Sequence, residues 1–245
     1  MIQPLLPTKV RGVKHADDRK VLNGIFWRLR TGVPWADIPA RYGPCTTCVN
    51  RFNRWRKAGH WARILQVVSE ACGGDIQMID SSSIRVHQHG ANAKKGGRSD
   101  RMGRSRGGLT TKIHALVDAA GRPILLKLTA GQAHDGRSTM DMLATVGSGQ
   151  VLLADRGYDA DYLRTPCGRG ARGAVANIKP MPGRKRIPAF ERTLYRKRNV
   201  VERFFNKLKH FRAVATRYDK TDASFLASVH LAAIRITLRG YEAVT

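Results

Sequence analysis

Acidic residues are scarce in this sequence, so the places where they occur carry information about chemistry. Only 18 Asp and Glu residues stand against 44 Lys and Arg. Asp80 follows the apolar run Ile76–Ile79, and Asp155 follows a second apolar run, Val151–Ala154. We predict that both runs are buried strands with the aspartates at their C-terminal ends, where neighbouring carboxylates repel each other unless a cation lies near them. Oxygen ligands of this kind suit Mg²⁺.

Glu202 is the third candidate for metal binding. It is the only acid between Arg192 and Arg217, in a segment dense with basic residues. Two strand-end aspartates and one helical glutamate could hold two metal ions about 4 Å apart, the arrangement used for in-line phosphoryl transfer. Taken alone, each aspartate could be a turn or cap residue, and Glu202 could simply neutralise a basic helix. The three together, on so basic a chain, favour catalysis.

The helix predicted over Thr193–Phe211 places Glu202 in a narrow polar stripe. At about 100° per residue, Tyr195, Arg198 and Lys209 fall within roughly 40° of Glu202, and the apolar side chains fall on the opposite side. Two interpretations are open. The stripe is either the exposed side of an amphipathic helix, or a surface on which Arg198 and Lys209 flank the glutamate and contact DNA phosphates.

The charge balance indicates a polyanionic partner. The chain carries a formal net charge of +26, and so much self-repulsion in a compact domain makes nucleic acid the leading partner. The Gly- and Arg-rich segment 91–108 is predicted to be a basic loop. In it, Lys94, Lys95 and Arg98 either bind DNA phosphates or are simply solvated.

Membrane and secreted proteins are disfavoured by the sequence. No apolar stretch reaches the roughly 18 residues of a membrane-spanning helix. The segment Met1–Val10 contains two prolines and no long apolar core, so it does not match a signal peptide. The four cysteines are accordingly expected to be reduced thiols. We expect no membrane partner and a cytoplasmic, nucleoid-associated location.

The predicted elements divide the 245 residues into two parts. Residues 1–72 are predicted to form a small helical, helix-turn-helix-like DNA-binding domain. Its helix over Thr46–Lys57 either reads a DNA groove through outward-facing residues such as Arg51 and Arg54 or is a solvated basic face. Residues 73–245 are predicted to form an α/β catalytic domain, a mixed sheet flanked by helices. The predicted strands are Ile76–Asp80, Thr110–Asp118, Pro123–Thr129, Gln150–Ala154 and Gly173–Ile178, and the predicted helices are Ser138–Val146, Asp159–Arg164, Thr193–Phe211 and Asp222–Tyr241.

Cysteine and histidine pairs are weaker candidates for chemistry. Cys45 and Cys48 have the spacing of a zinc or redox pair, but no second pair lies nearby, which favours a structural role. His87 and His89 could contact DNA, although a polar loop is the simpler interpretation. The pair His134–Asp135 is predicted to open a helix, with the aspartate as a structural N-cap.

Several ordered motifs resemble one family, the DDE transposases of bacterial insertion sequences. The spacing Tyr195-x2-Arg198-x3-Glu202-x6-Lys209 resembles the Y-R-E-K signature of that family. The segment Asp155–Asp159 resembles its D-[KR]-G-Y-D motif around the second aspartate. The segment Ile79–Ser82 resembles the strand that carries the family's first aspartate. Further segments similar to the IS-five group of this family are Leu29–Trp35, Arg41–Pro44, Arg51–Phe52, Arg54–Trp55, Gly108–His114 and Gly131–Asp135.

The resemblance covers nearly the whole chain, and Met1–Pro7 matches only the end of the family's first helix, so the chain is expected to begin within that helix. It implies a ribonuclease-H-like catalytic domain with Asp80, Asp155 and Glu202 as the metal-binding triad. It also implies an enzyme that uses Mg²⁺, or Mn²⁺ as a substitute, to cut DNA at the terminal inverted repeats of its element and to join the ends to target DNA, acting as a homo-oligomer. Two alternatives stay open: a structure-selective metal-dependent nuclease, and a non-catalytic DNA-binding regulator or inactive remnant.

Overall fold

The chain forms two compact units in a computed structural model that describes residues 5–7, 16–70, 74–91, 99–164 and 173–242. The first unit comprises residues 1–68, 87–99 and 208–245, and the second comprises residues 69–86 and 100–207. The last helix of the chain therefore belongs to the same unit as the N-terminal helices. The two units are structural divisions, and the prediction that residues 1–72 bind DNA stays a prediction.

The first unit is built from helices, and capping residues mark both ends of the first of them. The helix α1 (Asp18–Thr31) begins after Asp17, whose carboxylate accepts hydrogen bonds from two N–H groups of the first turn. It ends at Gly32, whose left-handed φ of 76° lets its N–H donate to the carbonyl of Arg28. The other elements that lie wholly or mostly in this unit are α2 (Cys45–Lys57), α3 (His60–Glu70), α4 (Gln88–Ala91), α10 (Arg212–Ala215), β7 (Thr216–Arg217), α11 (Asp222–Glu242) and the 3₁₀ turns Trp35–Asp37 and Ala40–Tyr42.

Arg51 lies in the buried row of α2. The apolar residues Cys48 and Trp55 are buried, and Arg51 is only 4% exposed. It follows Cys48 by three residues and precedes Trp55 by four, which places it on the same side of the helix. Its guanidinium pairs with Asp18 and lies 5.1 Å from the centroid of the Trp55 ring. The prediction that Arg51 faces outward is therefore wrong, whereas Arg54 is exposed.

The helix α11 has the bounds that its sequence predicts to within one residue. It packs against α1 and α2 within the first unit, and its apolar positions Phe225, Val229 and Leu231 are buried. Neither α11 nor any other helix in the described part of the chain combines the length and apolarity needed to cross a membrane.

The second unit contains a mixed sheet. Its strands are β1 (Ile76–Val86), β2 (Gly103–Ser105), β3 (Gly108–Asp118), β4 (Pro123–Ala130), β5 (Val151–Ala154) and β6 (Val175–Ile178), and its helices are α5 (Asp135–Ser138), α6 (Met140–Leu143), α7 (Asp161–Arg164), α8 (Arg192–Arg196) and α9 (Asn199–Lys209). In the order β4–β3–β1–β5–β6, the first three strands are antiparallel neighbours and the last two continue from β1 in parallel, while β2 forms a hairpin with one end of β3. This is the ribonuclease-H-like arrangement that the resemblance implies, so the predicted fold class is confirmed.

The core of this unit fixes the backbone that carries the two candidate aspartates. Side chains from β1, β3, β5, β6 and α6 form one buried cluster. Ile79 and Ala154, the residues that immediately precede Asp80 and Asp155, are both fully buried in it. Burying one large aliphatic side chain contributes about 1.5–3 kcal/mol, so the cluster resists displacement of either strand.

The strand β1 is longer than its apolar run predicts. It continues through Ser81 to Val86, so Asp80 is the fifth residue of the strand. The prediction that Asp80 is the last residue of the strand is wrong. The reason is non-local: antiparallel pairing with β3 continues as far as Arg85 opposite Thr110, and ladder hydrogen bonds hold polar residues in strand conformation as well as apolar ones. Only the parallel pairing with β5 ends near Asp80.

The single helix predicted over Thr193–Phe211 is interrupted. The helices α8 and α9 are separated by Lys197 and Arg198, where the backbone tightens into i→i+3 hydrogen bonds, including Arg198 N–H to the carbonyl of Tyr195 at 2.9 Å. Apolar periodicity runs across the break without a change, so it gives no sign of the interruption. The break lies at Arg198, whose contacts define the site described below.

Candidate active site

Asp80 lies on β1, and Asp155 directly follows β5, the parallel neighbour of β1. The pairing of the two strands ends at Met78 with Leu153, two residues before each aspartate, and the charge of Asp155 acts on Asp80. Neighbouring strands are about 4.8 Å apart. The two strand acids that the sequence singled out therefore share one edge of the sheet.

Asp80 is partly buried and held by two donors. Its Oδ1 accepts the N–H of Ser81 at 2.8 Å, and its Oδ2 accepts Nη1 of Arg198 at 2.8 Å. Burial raises the pKa of Asp80 to about 6, and the negative charge of Asp155 acts in the same direction, whereas the Ser81 N–H and the Arg198 guanidinium oppose the rise. Without a further cation nearby, Asp80 is therefore costly to ionise.

Arg198 connects the first aspartate to the glutamate. One nitrogen of its guanidinium binds Asp80, and the other binds Oε1 of Glu202, one turn further along the chain. The guanidinium carbon lies 5.6 Å from the centroid of the Tyr195 ring. Burial alone would lower the pKa of Arg198, but Asp80, Tyr195, Glu202 and Asp155 together raise it, so the group stays charged. Of the predicted stripe, Arg198 contacts Asp80 directly, and Tyr195 and Glu202 each contact Arg198.

Asp155 also has the local role that its alternative interpretation predicts. Its Oδ1 accepts the N–H of Gly157 at 2.9 Å and caps the 3₁₀ turn Arg156–Tyr158. The turn directs Tyr158 into the core, where the side chain is 1% exposed. Burial and then the charges of Asp135, Asp80 and Asp155 raise the pKa of Tyr158 well above its ordinary value.

The donor set fits a hard divalent cation in kind and charge. Asp80 and Asp155 offer adjacent carboxylate oxygens, and the buried Tyr158 hydroxyl has no hydrogen-bond partner within the described residues. In that same part of the chain, no three Asp, Glu, His or Cys side chains converge into a ready-made metal centre. The carboxylates of Asp80 and Glu202 instead share one cationic partner, because the guanidinium of Arg198 bonds both of them.

The remaining predicted DNA-binding residues are dispersed. Lys209 is exposed as the last residue of α9, seven residues after Glu202. Arg54 is exposed on α2, and Arg51 is buried there. Lys94, Lys95 and Arg98 lie outside the described residues.

Asp135, the residue predicted to cap a helix, contacts Ser81, which directly follows Asp80. We call the group of Asp80, Asp155 and Asp135 the acidic edge. The N-cap of α5 is His134, not Asp135, and its side chain makes no capping hydrogen bond. The Asp135 carboxylate instead accepts Oγ of Ser81 at 3.0 Å and Nζ of Lys112 at 2.9 Å. Sequence reasoning assigned Asp135 a structural role, although Lys112 and Asp135 both lie in segments that resemble the transposases.

Cys45 and Cys48 are free thiols, and Cys48 is buried with its Sγ 3.9 Å from the carbonyl of Val21. His89 lies in the short helix α4 and not in a loop, and its ring lies 5.0 Å from that of His87, centroid to centroid.

Comparison with known proteins agrees with the fold. A family model described as "Putative transposase of IS4/5 family" matches residues 1–65, and one described as "Transposase DDE domain" matches residues 72–236. The chain is similar to a "Putative transposase for insertion sequence element IS6501" of Brucella ovis, with 40% identity over 131 residues, which are 54% of this chain and 100% of that protein.

Two shorter similarities come from other bacteria. The "Insertion element IS402 uncharacterized 16.2 kDa protein" of Burkholderia cepacia is 36% identical over 101 residues, covering 35% of this chain and 68% of that protein. The "Uncharacterized protein y4sN" of Sinorhizobium fredii is 34% identical over 96 residues, covering 38% and 77% respectively. The catalytic-domain model alone spans more than half of the chain. With its ribonuclease-H-like sheet and acidic edge, the chain belongs to the insertion-sequence transposases of the IS4/5 family that carry a DDE domain.

Proposed function

We propose that this transposase cuts DNA at the terminal inverted repeats of its element and joins the freed ends to target DNA in a reaction that depends on Mg²⁺, with Mn²⁺ as a substitute. DDE transposase domains generally use divalent metals. The proposal for this chain names the residues that bind them. The observation that carries the proposal is that Arg198 joins the carboxylates of Asp80 and Glu202 in one contact, while the negative charge of Asp155 also acts on Asp80.

The three acids share one role in the proposed reaction, and Arg198 has another. Asp80, Asp155 and Glu202 would hold the divalent cations, which when bound activate water or a 3′-hydroxyl and stabilise the leaving oxygen of an in-line displacement. Arg198 holds Asp80 and Glu202 together and neutralises their charge before the cations and DNA arrive. Its guanidinium can then bind a phosphate of the strand being cut, a geometry for which the planar fork is suited.

DNA binding is proposed for both parts of the chain. The net charge of +26 supplies sequence-independent attraction to the phosphate backbone. Lys209 and Tyr195 would contact the strand at the acids, and Lys94, Lys95 and Arg98 would bind phosphates from the basic segment. Residues 1–72 would recognise the element ends. Because an element has two ends, we also propose a homo-oligomer on DNA, acting at the nucleoid in the cytoplasm.

Lys209 and Lys207 provide a matched test of the α9 surface. Both are exposed on the same helix, but Lys209 lies about 20° from Glu202 around the axis and Lys207 about 140°. Lys209→Ala is expected to reduce strand transfer and to lower the slope of log affinity against log salt by about one unit per lost phosphate contact. Strand transfer measured across a salt series should show a much smaller effect of Lys207→Ala. Equal damage by the two substitutions would indicate diffuse basic charge.

Arg54 and Arg51 separate DNA contact from folding on α2. Arg54→Ala, at an exposed position, is expected to change stability by less than about 0.5 kcal/mol and to weaken binding to element-end DNA. Arg51→Ala removes the buried guanidinium that pairs with Asp18 and is expected to cost about 2 kcal/mol of unfolding free energy. Urea denaturation and end-binding titrations of the full chain measure both. If Arg51→Ala left stability unchanged and selectively reduced end binding, Arg51 would be a DNA contact after all.

Two rival functions have distinct outcomes. A structure-selective nuclease would cleave in Mg²⁺ but would never join a pre-cut end to a second DNA. A DNA-binding regulator would bind element ends without cleaving them in Mg²⁺ or Mn²⁺. The DNA that flanks the gene contains the terminal inverted repeats if the proposal is right, so sequencing it identifies the substrate for these assays.

A further inference from the structure

Asp135 is a fourth carboxylate at the acidic edge of the sheet. One of its oxygens, Oδ1, accepts both Oγ of Ser81 at 3.0 Å and Nζ of Lys112 at 2.9 Å. Ser81 directly follows Asp80 on β1, and Lys112 projects from β3 and also donates to the carbonyl of Ala133 at 2.8 Å. The carboxylate of Asp135 is thus anchored by two strands of the sheet through a single oxygen.

The other oxygen of Asp135 borders the same space as Asp155. A Cβ built on Gly157 would lie 3.1 Å from Oδ1 of Asp155 and 3.7 Å from Oδ2 of Asp135. The backbone of Gly157 does not have a positive φ, so conformation alone does not require glycine here. The missing side chain leaves a space between two carboxylate oxygens.

A buried hydroxyl provides an independent sign of a ligand in this neighbourhood. Tyr158 is 1% exposed, and its hydroxyl has no hydrogen-bond partner within the described residues. Among the acids that raise its pKa, Asp135 acts more strongly than Asp80 or Asp155. A buried polar atom is normally satisfied by protein or by an ordered water. The hydroxyl of Tyr158 therefore indicates bound water near these carboxylates.

The cation that pairs with Asp135 binds only one of its two carboxylate oxygens. His114 lies 4.0 Å from Asp135, but burial lowers its pKa to about 4, so it is neutral at pH 7. Lys112 is therefore the cation that pairs with Asp135. An acid serving only as a structural link would be expected to direct both oxygens to donors, whereas Asp135 binds both donors through Oδ1 and faces the space beside Asp155 with Oδ2.

We propose that Asp135 is a positioning residue of the active site, which orients water bound to the divalent cation held by Asp80 and Asp155. The proposal rests on the metal site described under the proposed function. It assigns Lys112 the role of fixing Asp135 and assigns Gly157 the role of leaving room for that water.

Mn²⁺ binding to the full chain in the absence of DNA tests this proposal directly. The Mn²⁺ dissociation constant is measured by electron paramagnetic resonance of the free ion, with thermal unfolding of the metal-free protein as a check on folding. Asp135→Asn retains an acceptor for Ser81 and Lys112 but removes the charge, and it is expected to weaken Mn²⁺ binding roughly 10-fold, as for other outer-shell partners. Gly157→Ala is expected to weaken it as well, because it fills the space without removing any charged group.

Asp141 offers the matched control. It too pairs with a lysine, Lys127 at 2.7 Å, but its side chain is 65% exposed and lies outside the acidic edge. Asp141→Asn should bind Mn²⁺ as the unmodified chain does. If Asp155→Asn abolished Mn²⁺ binding while Asp135→Asn and Gly157→Ala bound it normally, the role of Asp135 would be overturned and the metal site would stand. If Asp155→Asn bound Mn²⁺ normally, the proposed metal site itself would fail.

Discussion

Asp80→Asn is expected to lower Mg²⁺-dependent cleavage and joining by at least about 10³-fold, equivalent to about 4 kcal/mol of activation free energy, while DNA affinity changes by less than about twofold. The substitution keeps the shape of the side chain and an acceptor for Ser81 and Arg198, so the strand and its neighbours are retained. It removes the negative charge that a divalent cation requires from its ligand. Single-turnover cleavage and filter binding of element-end DNA measure the two quantities separately.

The other two acids should behave in the same way. Asp155→Asn and Glu202→Gln each remove a ligand charge and preserve volume, so each is expected to abolish chemistry and spare binding. Asp141→Asn serves as the control, because that acid is exposed and pairs with Lys127. Normal cleavage by any one of the three variants would remove that residue from the metal site.

Arg198→Ala is expected to reduce cleavage at pH 7 by about 10²-fold. The substitution removes the group that joins Asp80 to Glu202 and leaves the partly buried Asp80 without its cationic partner. The pKa of Asp80 is already about 6, and loss of the guanidinium raises it further, so more of the acid is protonated at pH 7. Because higher pH ionises the acid again, the variant should recover part of its activity between pH 7 and pH 9.

Arg196 provides the control for this experiment. It is an exposed basic residue at the end of α8, two residues before Arg198, and Arg196→Ala should retain nearly normal cleavage and an unchanged pH profile. Arg198→Lys keeps the charge but lacks the fork that binds two carboxylates at once, so intermediate activity is expected. A pH–rate profile of Arg198→Ala that is parallel to that of the unmodified chain would show that Arg198 does not act through Asp80.

Local signals in the sequence were sufficient for much of the fold. Asp17 and Gly32 mark the two ends of α1, and their capping chemistry involves only neighbouring residues. The apolar runs before Asp80 and Asp155 are strands because their side chains are buried in the sheet core. The scarcity of acids in a basic chain singled out Asp80, Asp155 and Glu202, although their metal-binding role stays a prediction.

The features that sequence reasoning missed depend on residues distant in the chain. The length of β1 is set by its pairing with β3 up to Arg85. Arg51 was expected to face outward, yet its partner Asp18 lies on another helix. Asp135 has the residue type and position of an N-cap, but Ser81 and Lys112 on two strands determine where its side chain goes. Periodicity along one segment contains no information about such partners.

Joining of a pre-cut element end to a plasmid tests whether this chain catalyses strand transfer. The purified full chain is incubated in Mg²⁺ with a terminal-repeat duplex that already exposes its 3′-hydroxyl, and joined products are separated by size. We expect joined products that disappear with a chelator and in Asp155→Asn. Plasmid nicking without joining, or stable binding of the end with no chemistry in either Mg²⁺ or Mn²⁺, would contradict this expectation.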